Sequence, residues 1–75
     1  MHRICIRLVW SDIAECSDID NCVETRDLIE RIFRKHDIRI NMESIGIAIN
    51  GRPGELNEKL CKDALITVFR VFKGG

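Results

Sequence analysis

Only one stretch of this chain repeats with helical periodicity, and that limits what it can fold into. In TRDLIERIFRKHDI, residues 25–38, Leu28, Ile29, Ile32 and Phe33 fall on one apolar stripe at i, i+1, i+4 and i+5. Thr25 is a suitable N-cap. Asp27 and Glu30 lie toward the positive end of the helix, and Arg34, Lys35 and His36 toward the negative end. His36 is read as a helix-terminal residue without chemistry of its own. The remaining apolar stretches alternate instead, so one helix must serve as the whole second layer over a sheet.

The alternation is clear in three places. In HRICIRLVW, Ile4, Ile6, Leu8 and Trp10 share one face, while Arg3, Cys5, Arg7 and Val9 share the other. In SIGIAINGRPGEL, residues 44–56, Ile45, Ile47 and Ile49 lead into Asn50-Gly51, a strong two-residue hairpin signal. Pro53 and Gly54 then limit the segment after the turn to an edge or a very short strand. ALITVFRVF, residues 64–72, is rich in β-branched and aromatic residues and apolar on both faces, which predicts an interior strand. Between these, NEKLCKD reads as a polar connector with Leu60 as a buried plug. The segment 11–24 reads mostly as turn and loop, with a hairpin return arm near Asp20–Val23. The implied class is α+β in two layers, a mixed sheet of four to five strands packed on one helix.

Size and charge exclude several functions. A chain of 75 residues buries only about 60% of its unfolded surface, which leaves no room for a deep catalytic pocket. A non-enzymatic role is therefore expected. Twelve basic and twelve acidic residues cancel, and the basic excess that replaces phosphate counterions on nucleic acid is missing. The acids Asp12, Glu15, Asp18, Asp20 and Glu24 are read as a solvated loop. No apolar run approaches the ~20 residues of a membrane span. The first residues lack the apolar core and cleavage site of a secretion signal, so a cytoplasmic location is expected. On that basis Cys5, Cys16, Cys22 and Cys61 are read as reduced thiols. The spacing of Cys16 and Cys22 fits no paired zinc knuckle, and no metal site is expected.

Three features together resemble a known family: IAINGRP at 47–53, LCKDALITVFRVFKGG at 60–75, and the single early helix. The pattern is similar to the β-grasp fold of ubiquitin and, more closely, to the ThiS/MoaD sulfur-carrier proteins. The resemblance spans the whole chain, and its specific part is the last thirty residues. Two departures stand out. Lys62-Asp63-Ala64 replaces the acidic turn common before the last strand, and Val71-Phe72-Lys73 stands where molybdopterin-type carriers often have prolines. Both tilt the resemblance toward the thiamine-type branch or an archaeal-type relative. A single β-grasp domain over residues 1–75 is implied, with residues 73–75 as an extended tail.

What the resemblance implies is chemistry at Gly74 and Gly75. A carboxylate must be activated before a nucleophile can displace oxygen from it, and the implied route is an acyl-adenylate. Glycines have no Cβ and adopt almost any backbone angle, so they can thread a narrow adenylating site. At about 3.3–3.6 Å per residue, the tail beyond Phe72 reaches on the order of 10 Å. The implied partners are a MoeB/ThiF-like adenylyltransferase, which uses ATP and Mg²⁺, a sulfur donor and a downstream synthase. No cofactor is expected on the chain itself. Arg70, Val71, Phe72 and Lys73 are expected to dock that partner, and Arg7 and Arg70 to lie on the sheet face away from the helix. Two other readings remain open: a modifier conjugated to lysines through Gly75, and a β-grasp interaction module without C-terminal chemistry.

Overall fold

The computed structural model describes residues 1–72. Strand β1 (His2–Leu8) pairs antiparallel with β2 (Ala14–Ile19). A two-residue strand, β3 (Val23–Glu24), runs directly into helix α1 (Thr25–Lys35). A single 3₁₀ turn at Met42–Ser44 precedes β4 (Ile45–Ile49), which is followed by β5 (Arg52–Pro53), β6 (Lys59–Leu60) and β7 (Ala64–Arg70). The main sheet has the order β2-β1-β7-β4-β5, and β3 and β6 form a separate ribbon. β7 lies inside the sheet as expected, parallel to β1 and antiparallel to β4.

Pleat parity builds the core. Ile4, Ile6 and Leu8 of β1, Ile47 and Ile49 of β4, and Ile66 and Val68 of β7 all face the helix and are buried. Leu28, Ile29, Ile32 and Phe33, the stripe read from the sequence, pack against them. Each such side chain contributes about 1.5–3 kcal/mol on burial. Trp10, just past the end of β1, meets Phe33 edge-on at 6.2 Å. Leu60 is the buried plug expected of the connector.

Several expectations are corrected. The hairpin return arm is Ala14–Ile19, earlier than Asp20–Val23, so the acidic segment is largely strand. On β2, Glu15, Ser17 and Ile19 alternate toward the helix side, opposite Ile6, Ile4 and His2. Thr25 is fully buried and does not cap the helix. Its N–H and its Oγ1–H both donate to the Glu58 carbonyl, at 2.9 Å each, and tie the helix start to the β6 strap. Glu24 takes the N-cap position without a side-chain bond. The helix ends at Lys35 rather than 38, because Asp37 turns left-handed (φ 54°) and the Ile38 N–H returns to the Phe33 carbonyl.

The cysteines are not free thiols. Cys5 is bonded to Cys16, and Cys22 to Cys61. Cys5 and Cys16 are direct partners in the β1–β2 register. Cys22 and Cys61 occupy the next position of the ribbon that pairs Val23 with Leu60 and Glu24 with Lys59. The bonds join residues 11 and 39 positions apart, and constraining the unfolded chain contributes on the order of 3 and 4 kcal/mol respectively.

Glu15 fastens the far end of the helix to β2. Its carboxylate accepts from Lys35 Nζ at 2.9 Å and contacts His36 Nε2. The His36 imidazole, and then the Lys35 ammonium, hold the Glu15 carboxyl below its ordinary value of 4.5. A depressed folded value means that this contribution is complete above the unfolded pKa and is lost as pH falls through the folded one.

Two outcomes are expected. Ile66→Ala should lower stability by about 2–5 kcal/mol in urea denaturation, whereas Leu65→Ala, on the opposite face, should cost under about 1 kcal/mol. Glu15→Gln should flatten the fall of the urea midpoint below about pH 4.5, while changing it least in acid where the wild-type carboxyl is already protonated.

Candidate functional site

One helix covers one face of the sheet, and among the described residues no second layer covers the other. Four of the exposed large apolar side chains lie on that open face: Val9 (52% exposed), Leu65 (48%), Phe69 (40%) and Val71 (43%). Leu65 and Phe69 alternate with the buried Ile66 and Val68 along β7. Val9 follows β1 and donates its N–H to the Val68 carbonyl at 2.9 Å. Ala48 and Gly46 of β4 lie opposite Thr67 and Phe69 and complete the surface. Clustered apolar exposure of this kind makes the face a candidate docking surface, which scattered apolar residues would not.

Gly46 has a steric role here. A Cβ placed on it would stand 2.4 Å from Phe69 Cε2 and 2.6 Å from Cζ. The absence of a side chain lets the Phe69 ring occupy the space over Gly46 of β4. Phe69 thereby joins an exposed face of β7 that also carries Leu65 and Thr67 and continues to Val71.

The strand carrying this surface is held firmly on both sides. At its start, Asn50 clamps Leu65 twice: its N–H donates to the Leu65 carbonyl (2.9 Å), and its Oδ1 accepts from the Leu65 N–H (2.8 Å). The clamp depends on the Asn50-Gly51 turn read from the sequence, in which both residues have positive φ (53° and 81°). At the other end, the Val71 N–H donates to the Ser44 carbonyl at 2.9 Å. Pairing thus continues one residue past β7. Phe72 is 79% exposed, and the Arg70 guanidinium sits 5.2 Å from its ring centroid.

Of the residues expected at the site, Val71 lies on the open face. Arg70 does not: it pairs with Ile45, in the register of the buried Ile47 and Ile49, and so belongs to the helix-side parity at the sheet's end. Arg7 is on the open face, in register with Thr67. Lys73, Gly74 and Gly75 lie outside the described residues. Val9, Leu65 and Phe69 were missed as site residues. Their signal was present in the sequence as an odd-numbered apolar register with no second helix to cover it. Cys16 and Cys22 are separated by belonging to different disulfides.

By sequence the chain matches no protein-family model and, at a significant level, no curated protein. Solved structures that share its architecture include the following two. One, described as a molybdopterin converting factor, subunit 1, from Pyrococcus furiosus, is 20% identical with a TM-score of 0.70, over 96% of this chain and 100% of that one. The other, SAMP1 from Haloferax volcanii, is 17% identical with a TM-score of 0.67, over 97% and 99% of the two chains. This chain has the β-grasp fold: a mixed five-stranded sheet on one helix.

The Phe69–Gly46 contact is open to direct test. An upfield ring-current shift is expected for a Gly46 Hα in the proton NMR spectrum. Phe69→Leu should abolish it at a stability cost under about 1.5 kcal/mol.

Proposed function

We propose that this chain is a ubiquitin-like sulfur carrier, with the Gly75 carboxylate as the activated group and Gly74 giving that end its slender reach. The observation that carries this reading is the situation of β7. It is an interior strand fixed by both neighbours, and its uncovered side presents Leu65, Phe69 and Val71, with Thr67 between the first two. A docking face continuous with a rigid base suits delivery of a thin reactive end into another protein's site. The end-to-end likeness in fold to a protein described as a molybdopterin converting factor subunit agrees with it. Val71-Phe72-Lys73 before the diglycine favours the thiamine-type branch over the molybdopterin type, with tRNA thiolation as a further destination of the sulfur.

The chemistry starts at the carboxylate. A carboxylate oxygen attacks the α-phosphorus of ATP, pyrophosphate leaves, and an acyl-adenylate forms. Sulfide, or a persulfide donor with a reducing thiol, then attacks the carbonyl carbon and AMP departs, leaving a thiocarboxylate. That anion is a good nucleophile and can pass sulfur to a biosynthetic acceptor. Stabilising the charge on phosphate falls to the adenylating partner, a MoeB/ThiF-like enzyme with its Mg²⁺. The chain is a co-substrate and binds no cofactor, and its place is the cytoplasm, where ATP is available. Val9, Leu65, Phe69 and Val71 meet the partner's surface, with Arg70, Phe72 and Lys73 at the mouth of its site.

The test is the intact mass after incubation with ATP, sulfide and a MoeB/ThiF-like enzyme. A gain equal to one oxygen replaced by sulfur, absent after deletion of Gly75, is expected. Attachment to lysines of other proteins without that gain would point to the modifier. An unchanged mass with several such enzymes would leave an interaction module.

A further inference from the structure

We propose that the Cys5–Cys16 disulfide is a reversible thiol–disulfide exchange site, opened by a protein dithiol while the fold persists, and that Cys22–Cys61 is a structural staple. The two bonds differ in what they hold. Cys16 is exposed and Cys5 half-buried, while Cys22 and Cys61 are both exposed, so solvent access does not separate them. Register does. Cys5 and Cys16 sit within six consecutive β1–β2 pairs, from His2↔Ile19 to Arg7↔Ala14. β1 is further paired to β7, and Glu15 ties β2 to the helix end. Opening this bond leaves every one of those contacts available.

Cys22–Cys61 closes the ribbon of β3 and β6, which has only two paired positions. A ribbon of that length is not stable alone. It is nevertheless the strap whose continuation binds the helix start, through Thr25 to Glu58 and Arg26 to Leu56. The bond also spans 39 positions against 11 for the other. By loop-closure entropy alone, opening it lowers the folding constant about sevenfold more. One disulfide therefore switches between two folded forms, and the other holds the fold together.

The exchange balances with a dithiol reductant. A dithiol thiolate attacks Cys16 Sγ, and Cys5 leaves as a thiolate. The second reductant thiol then displaces Cys16, so that two electrons and two protons pass to the chain and the reductant becomes a disulfide. Arg7 lies two residues from Cys5 on the same face and makes no ion pair among the described residues, so the strand that carries the departing thiolate also carries an uncommitted cation. The presence of such reductants rests on the carrier reading, since ATP-dependent activation puts the chain in the reducing cell interior. Cys5 is in register with Leu65, so exchange changes the border of the docking face itself.

The experiment titrates the oxidised full chain with dithiothreitol and a catalytic amount of thioredoxin, quenches with iodoacetamide, and maps the labels by peptide mass alongside helical circular dichroism. A species labelled at Cys5 and Cys16 only, with unchanged dichroism, is expected before any label reaches Cys22 or Cys61. The double variant Cys5→Ser, Cys16→Ser should stay folded with the other bond intact. Earlier labelling at Cys22 and Cys61, four labels arriving together with loss of dichroism, or a double variant that does not fold would each overturn the proposal. No adenylating enzyme takes part, so this outcome is separate from the fate of the carrier reading.

Discussion

A helix of 11 residues can shield one face of a five-stranded sheet, and the rest of the structure depends on that limit. Ile4, Ile6 and Leu8 of β1, Ile66 and Val68 of β7, and Ile47 and Ile49 of β4 go under the helix and become the core. The opposite parity is left outside, whatever its side chains. On β7 that parity carries Leu65, Thr67 and Phe69, and continues to Val71. One side of the strand thereby builds the core, and the other is the proposed docking face.

The division explains the attention given to fixing β7. Parallel pairing with β1, antiparallel pairing with β4, the Asn50 clamp at Leu65 and the Val71–Ser44 bond define its path from end to end. A strand with polar groups satisfied on both sides resists local opening. An outward face on such a strand keeps its shape. That property is what the proposed docking role asks of it.

The helix, β1, β4, β7 and the Asn50-Gly51 turn were legible because each is a local pattern: a period, or a pair of turn residues. β2 was hidden because its strand character comes from pairing with β1, and its acids mimic a solvated loop. The disulfides escape on a different ground, since an expected cytoplasmic location argues for reduced thiols. Residue spacing along the chain says nothing of Cys22 facing Cys61 until β3 and β6 are in register. Thr25 looked like a cap because its hydroxyl can bond locally, yet the Glu58 carbonyl, 33 residues away, won the contact. Arg70 was assigned to the wrong face, although parity counted from the buried Ile66 and Val68 would have placed it correctly. The open face itself was foreseeable from having one helix, but its full extent needed Val9 and Gly46 brought beside Phe69.

The most direct test of a docking face on the uncovered side of β7 is an amide and methyl chemical-shift map of this chain on titration with a MoeB/ThiF-like adenylyltransferase. The account predicts that shifts and line broadening concentrate at Val9, Leu65, Phe69 and Val71 and leave Arg31 and Arg34 on the exposed side of the helix unmoved. Perturbations centred on the helix, with the open face silent, would contradict it.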